Sequence, residues 1–223
     1  APTGVLRAGI NMANKLLVTG ATPSGDPDGV GPEFARHIAD GLGVPVSYVQ
    51  FPTPGELADA VTENVWDIGL IGAEPTRAEK IAFTAAYVEI EATYLVPEGS
   101  PLNTIEDVDA EGVRIAVSGR SAYDLYLSRS LKHAELHRAQ GLPGALELFM
   151  AEKMDALAGL RPALTGDLDK VPGGRILDGQ FTAVQQAVGT ARTKPEAAAY
   201  LSDVVEDAKA SGLIARLIEK HKV

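Results

Sequence analysis

The chain has 223 residues, 45% of them hydrophobic and 22% charged, a balance that supports a sizeable core in one large domain or two small lobes. Its formal charge of −10 argues against a phosphate-backbone partner, which requires clustered cations, and against docking on an anionic membrane. With no cysteine in the sequence, disulfides, thiolate chemistry and cysteine–zinc sites are excluded.

Taken in chain order, the pattern alternates strand and helix. Val5–Ile10 reads as a strand that ends in Asn11. Residues 20–31 carry Pro23, Gly25, Pro27 and Gly29 and read as turns. A helix from Pro32 to Leu42 is expected, with Phe34, Ile38 and Leu42 forming one apolar stripe. Val44–Val49 alternates as a strand, Pro54–Asn64 reads as a helix, and Asp67–Gly72 as a short buried strand. Thr76–Lys80 gives one polar helical turn and Tyr87–Val96 a longer strand.

A second series follows. Ile105–Val108 is a short turn or helix, Val113–Val117 a strand, and Ser118–Ser121 leads into a helix carrying Leu125, Leu127 and Leu131. Ala134–Arg138 reads as a strand, Pro143–Glu152 as a helix and Met154–Gly159 as a strand. A strand at Ala183–Gly189 precedes helices at Pro195–Ala210 and Leu213–His221. Two sets of alternating strands and helices predict α/β architecture with mostly parallel sheets. Ligands in such sheets bind beyond the carboxyl ends of strands, so the loops after Ile10, Leu70 and Val117 matter most.

Several segments together resemble one family. They are Gly31-Pro32-Glu33-Phe34-Ala35-Arg36-His37-Ile38-Ala39, then Thr76-Arg77-Ala78 with Phe83-Thr84 and Tyr87, then Ile105-Glu106-Asp107-Val108 before Val113–Val117. Glu152–Ala156 and the tail Ala208–Lys220 continue the series. In order and spacing the chain resembles the type II periplasmic solute-binding proteins, specifically amino-acid-binding family 3. The resemblance implies a two-lobed periplasmic-binding-protein type II fold, each lobe a mostly parallel sheet flanked by helices. Lobe 1 is expected over 1–90 plus 187–223 and lobe 2 over 95–182, with hinge crossovers near 90–95 and 182–187. It further implies a ligand in the interlobe cleft, closure by hinge motion, a membrane permease of an ABC transporter as partner, and a monomer. Location would be periplasmic or extracellular. The start, Ala1-Pro2-Thr3-Gly4, lacks Met and an apolar leader, which fits a removed signal peptide or simple trimming; the resemblance favours the first.

Arg77 falls where the family has its carboxylate-binding Arg, and a guanidinium fork suits a carboxylate. Gly119, Arg120 and Ser121 fall on the family's anion loop, which opens a helix whose N–H groups face an anion. Arg120 replaces the usual Thr and either adds a second cation or faces solvent. Leu160 stands where the family's Asp holds the ligand ammonium, and Arg161, which follows it, is a further ligand-binding candidate that would add positive potential beside Arg77 and Arg120. An apolar residue cannot satisfy a buried ammonium, so the ligand is expected to be a small organic anion, amino-acid-like or not. Glu74 either holds an amine or pairs with Arg77. Asn11, Asn14, Phe51 and Tyr123 complete the candidate ligand-binding set, each with a plain loop or packing role as the alternative.

No catalytic residue, metal ligand or cofactor is expected. His37, His133, His137 and His221 are scattered, and only His133–Glu135–His137 alternates as a strand face could to hold a metal. The alternative functions are a periplasmic dehydratase of the cyclohexadienyl dehydratase type, with Glu74 as general acid, and the ligand-sensing domain of a receptor.

Overall fold

A computed structural model describes residues 3–223; Ala1 and Pro2, at the expected processed start, lie outside the described residues. The chain divides into two units. One is built from the chain up to Glu89 together with Gln185–Val223, the other from Ile90–Val184.

The first unit starts with β1 (Leu6–Asn11), a two-residue hairpin pair β2 (Gly20–Ala21) and β3 (Pro27–Asp28), and α1 (Val30–Gly41). Phe34, Ala35, Ile38 and Ala39 give α1 its buried face. Leu42, expected on that stripe, lies just past the helix and is 38% exposed. Next come β4 (Val46–Phe51), α2 (Pro54–Asp59) and β5 (Ile68–Ala73). Thr53 caps α2, its hydroxyl accepting the Glu56 N–H at 3.2 Å, and Pro54 suits the first turn because it has no N–H to orphan. The helix expected through Asn64 tightens to a 3₁₀ turn at Ala60–Glu63 and stops at Asn64, whose φ is 54°. The single-turn α3 (Pro75–Ala78) and β6 (Ile81–Phe83) follow.

β7 (Val88–Val96) carries the chain into the second unit. There β8 (Arg114–Ser118), α4 (Ala122–Ser130), β9 (Glu135–Ala139), α5 (Gly141–Ala151), β10 (Ala156–Leu160), α6 (Arg161–Asp167) and β11 (Arg175–Ile176) succeed one another. β12 (Thr182–Ala191) returns to the first unit, which ends with α7 (Pro195–Ala210) and α8 (Leu213–His221).

In the first unit β1 lies between β4 and β5 and is parallel to both; β12 runs antiparallel on the other side of β5. In the second, β8 lies parallel between β9 and β10, and β7 is antiparallel to β10. The parallel strands end together, so the loops after β1 and β5 in one unit, and after β8 and β10 in the other, share one sheet edge each.

Trp66 anchors the first unit's core. Its indole N–H donates to the Leu57 carbonyl at 3.1 Å, and the ring lies against the main chain at Gly9 and Gly69. Leu57, Val61, Ile71 and Ile81 pack around it, with Phe51 partly buried against this cluster. α8 packs on α1 and on α7. The second unit buries Tyr94, Ile115, Val117, Tyr123 and Leu127 on one side and Leu95, Leu146, Phe149, Leu157 and Leu164 in a second cluster. Among the described residues no helix is long and apolar enough to cross a membrane.

Candidate functional site

In the first unit, the candidate residues gather at the carboxyl ends of β1 and β5. Glu74 closes β5 and caps α3, its carboxylate accepting the Thr76 N–H at 2.8 Å. That cap aims the single turn so that Arg77 points back under the strand end. Arg77 is only 6% exposed, and its Nη1 donates to the Gly72 carbonyl at 2.7 Å. A cation is thus seated at the end of β5, next to the residue that pairs with Gln186 of β12. Glu74 is likewise buried.

Asn11 and Asn14 shape the loop after β1. The Asn11 Oδ1 accepts the Ala13 N–H at 3.1 Å, and the Asn14 Oδ1 accepts from Leu16 and Leu17 at 3.2 and 3.4 Å. These side-chain turns are what Asn favours in loops. Both residues line a small cavity of about 10 Å³ with Ile10, Leu70, Tyr87 and Gln186. Tyr87 and Gln186 are buried residues, and their side chains line this cavity. Burial drives the Tyr87 phenol well above the ordinary tyrosine range. Phe51 sits apart from this cavity, partly buried against the Trp66 cluster.

In the second unit, Ser118–Ser121 forms the loop after β8, and Ser121 caps α4 by accepting the Asp124 N–H at 3.0 Å. The loop was expected to present open N–H groups, but three are engaged within the protein. Gly119 donates to the Ala139 carbonyl at 2.9 Å and Ser121 to the Ser118 carbonyl at 3.3 Å. The Arg120 main-chain N–H donates to Asp124 Oδ2 at 2.7 Å, with Arg120 itself exposed at φ 60°. Asp124, which the sequence reading passed over, is 2% exposed. It also accepts from Arg138 Nε at 3.0 and 3.1 Å. Tyr123 is buried in the second unit's core. Burial pushes its phenol up to about 12, against a downward pull from the Ser121 and Ser118 hydroxyls.

Leu160 caps the start of α6 without a side-chain hydrogen bond and packs partly against the second unit's core. Arg161 is committed nearby: its Nε meets Glu91 Oε2 at 2.6 Å, and its Nη2 donates to the Leu177 and Gly179 carbonyls. Glu91 thus lies beside this strand end, one residue before Ala92, the partner of Leu160. Sequence spacing gave no sign of it, because the β7–β10 register brings the two together. Asp124 did leave a sign: Ser121-x-x-Asp124 has the spacing of a helix-capping pair.

Two clusters bear on metal binding. His137 Nε2 lies 3.6 Å from Glu135 Oε2 and is buried without a hydrogen-bond partner. Asp28, Glu33 and His221 bring ligand atoms within 4.8 Å of one another. There, however, the Lys220 ammonium already sits 2.6 Å from Glu33 Oε1, with His221 Nε2 at 2.9 Å from the same oxygen. The cluster is filled by its own cation.

Comparison with known proteins covers nearly the whole chain. The family model for bacterial extracellular solute-binding proteins, family 3, matches residues 6–222. A putative binding component of an ABC transporter from Wolinella succinogenes, complexed with lysine, is similar at 18% identity and a TM-score of 0.81, covering 97% of this chain and 95% of that one. The ancestral amino acid-binding protein AncCDT-1, a precursor of cyclohexadienyl dehydratase, is similar at 21% identity and TM-score 0.80, covering 98% and 96%. Holo ArgBP from T. maritima is similar at 20% identity and TM-score 0.77, covering 100% and 97%. No curated protein sequence matches the chain. At these identities the likeness to solved structures carries the fold.

Proposed function

The chain belongs to the bacterial extracellular solute-binding proteins, family 3, with the α/β fold of type II periplasmic binding proteins, and from that premise we propose that it is the binding subunit of an ABC uptake system for a small carboxylate. The observation that carries this reading is Arg77. A guanidinium buried at the carboxyl end of β5 stays charged at any relevant pH and suits a carboxylate. Asn11 and Asn14 lie at the neighbouring strand end.

The solute resembles an amino acid in size, as the lysine complex of one structural neighbour suggests. Its amino group is another matter. Leu160 offers no charge, and the acid beside it, Glu91, is paired with Arg161. We therefore favour a carboxylate that carries no α-ammonium. In this reading the chain works outside the cytoplasm and delivers its solute to a membrane permease. Glu74, the acid a dehydratase would need, spends its carboxylate on capping α3, which favours binding over catalysis.

Mass spectrometry of small molecules released from the purified protein, followed by thermal-shift titration with short carboxylates, tests the proposal. A ligand that binds only the native state raises its melting temperature. Carboxylates are expected to do so. Stabilisation by neutral sugars or cations alone would overturn the reading.

A further inference from the structure

The α4 N-terminus holds a carboxylate already, and it is the protein's own. Asp124 stands at the third position of α4, inside the first turn, where the helix dipole favours negative charge. Its Oδ2 takes the Arg120 main-chain N–H at 2.7 Å, and both its oxygens take Arg138 Nε at 3.0 and 3.1 Å. Ser128 Oγ, which lies 3.4 Å from Oδ1, accepts from Arg138 Nη2 at 2.8 Å. The acid is 2% exposed while the Arg138 side chain is 47% exposed, so the carboxylate is shielded and the guanidinium reaches it from the wetted side; charge assistance still shortens and strengthens these hydrogen bonds.

Three features make this more than a helix cap. An ordinary capping pair sends the acid back to the cap residue's own N–H; here the acid reaches one residue further, to Arg120. That reach coincides with a left-handed backbone at Arg120, φ 60°, which a non-glycine residue adopts at some cost. Arg138 arrives from β9, and its stem lies beside Gly119: a Cβ at that glycine would stand 3.6 Å from the Arg138 Cβ. The guanidinium, the main-chain N–H and the helix start together form a receptor for one carboxylate, assembled from three separate pieces of the second unit.

We infer that Asp124 is an internal ligand that fills this carboxylate receptor and so bars a solute's carboxylate from the α4 loop. Asp124 is thus a specificity-determining residue. The inference rests on the reading of the chain as a carboxylate binder. It deepens that reading: the solute's anionic group is left to Arg77 in the first unit, and a second anionic group has no main-chain seat on the loop.

Two measurements test it without knowing the solute, and neither involves Arg77. The first is chemical rescue. Asp124→Ala removes the internal carboxylate and lowers the melting temperature. Sodium formate, against sodium chloride at equal ionic strength, is expected to raise the variant's melting temperature by about 3 °C and to leave wild type unmoved. The double variant Asp124→Ala/Arg138→Ala is expected to lose the formate response. The second measurement needs only wild-type protein, in case the variant does not fold. Acetate is titrated while the amide resonances of Gly119, Arg120 and Ser121 are followed by NMR, and no saturable shift is expected. Failure of formate to rescue the folded variant, or saturable acetate shifts in wild type, would overturn the inference. A failure of the Arg77 reading would show instead as carboxylates leaving the Ala13, Arg77 and Gln186 amides unmoved.

Discussion

Gly31, the second residue of α1, tests how the small cavity of the first unit is satisfied. A Cβ at Gly31 would meet the Leu17 carbonyl at 3.5 Å, Leu70 Cδ2 at 3.7 Å and the Tyr87 hydroxyl at 3.9 Å, all ordinary contacts. On packing alone, Gly31→Ala should stabilise the protein. Helix propensity contributes about 0.5–1 kcal/mol, and a buried methyl contributes about 0.8 kcal/mol. The cavity is polar on one side, however. The Tyr87 hydroxyl and the Gln186 carboxamide line it, and a space of about 10 Å³ is large enough for one water. The new methyl takes that space. Closing that space around the hydroxyl would cut it off from water, at a cost of about 1–3 kcal/mol. The single variant is therefore expected to gain nothing or to lose about 1 kcal/mol. With Tyr87→Phe in the background the penalty disappears, and Gly31→Ala should gain about 1 kcal/mol. A double-mutant cycle by urea unfolding, with m-values checked for constancy, reads the coupling. Full stabilisation by Gly31→Ala alone, additive with Tyr87→Phe, would refute the argument.

The acid limb of stability should report Glu33. Burial alone would raise its carboxyl, but hydrogen bonds and charge from Lys220 and His221 outweigh burial and hold it below its ordinary value of 4.5. A carboxyl depressed in the folded state adds stability above its unfolded pKa and loses it as pH falls through the folded one. Glu33→Gln should therefore flatten the fall in unfolding free energy below about pH 4.5, with little change in its slope near neutrality. Arg77→Met should cost about 1–3 kcal/mol of stability, because the buried Gly72 carbonyl loses its donor. The same variant should weaken carboxylate binding by about 2–5 kcal/mol in calorimetry. Equal affinity with and without the guanidinium would remove Arg77 from the site. Gly69→Ala places a Cβ 3.0 Å from Leu57 Cδ2 and 3.4 Å from the Trp66 ring, so overpacking should cost about 1–3 kcal/mol in denaturant unfolding.

Local punctuation made much of the fold legible. Pro195 and the Ser211-Gly212 break bound α7 and α8 where the sequence placed them, because each signal acts within one helical turn. The expected strands came out within two residues of their bounds for the same reason: alternation is a local property. Between Arg161 and Phe181 the sequence shows no periodic element. Arg161-Pro162 does open α6, but the helix is only seven residues long before a 3₁₀ turn, too short for a periodic stripe. Ile81–Phe83 is a strand solely because β12 pairs with it, and three residues carry no period of their own.

The candidate site is legible in its residue types and less so in their hydrogen-bond partners. Arg77 was found because its neighbours in sequence resemble a known pattern, yet its bond to Gly72 and its burial follow from how Glu74 caps α3. Asp124 and Arg138 lie fourteen positions apart and meet through the parallel register of β8 with β9, which sets Val117 opposite Arg138. Arg161 and Glu91 lie seventy apart and meet through β7 and β10. Such pairings depend on register, which a single sequence states only weakly.

The division of the chain also bears on the order in which it becomes able to fold. The second unit is one uninterrupted stretch, Ile90–Val184, and every residue it needs has been synthesised once Val184 has emerged. The first unit must wait for Gln185–Val223. β5 lacks its antiparallel neighbour until β12 is made, and α1 stays uncovered on one side until α8, the last element, arrives. A nascent or truncated chain therefore exposes the apolar edge and helix face of the first unit, and with them an aggregation hazard, throughout the time that the second is being made.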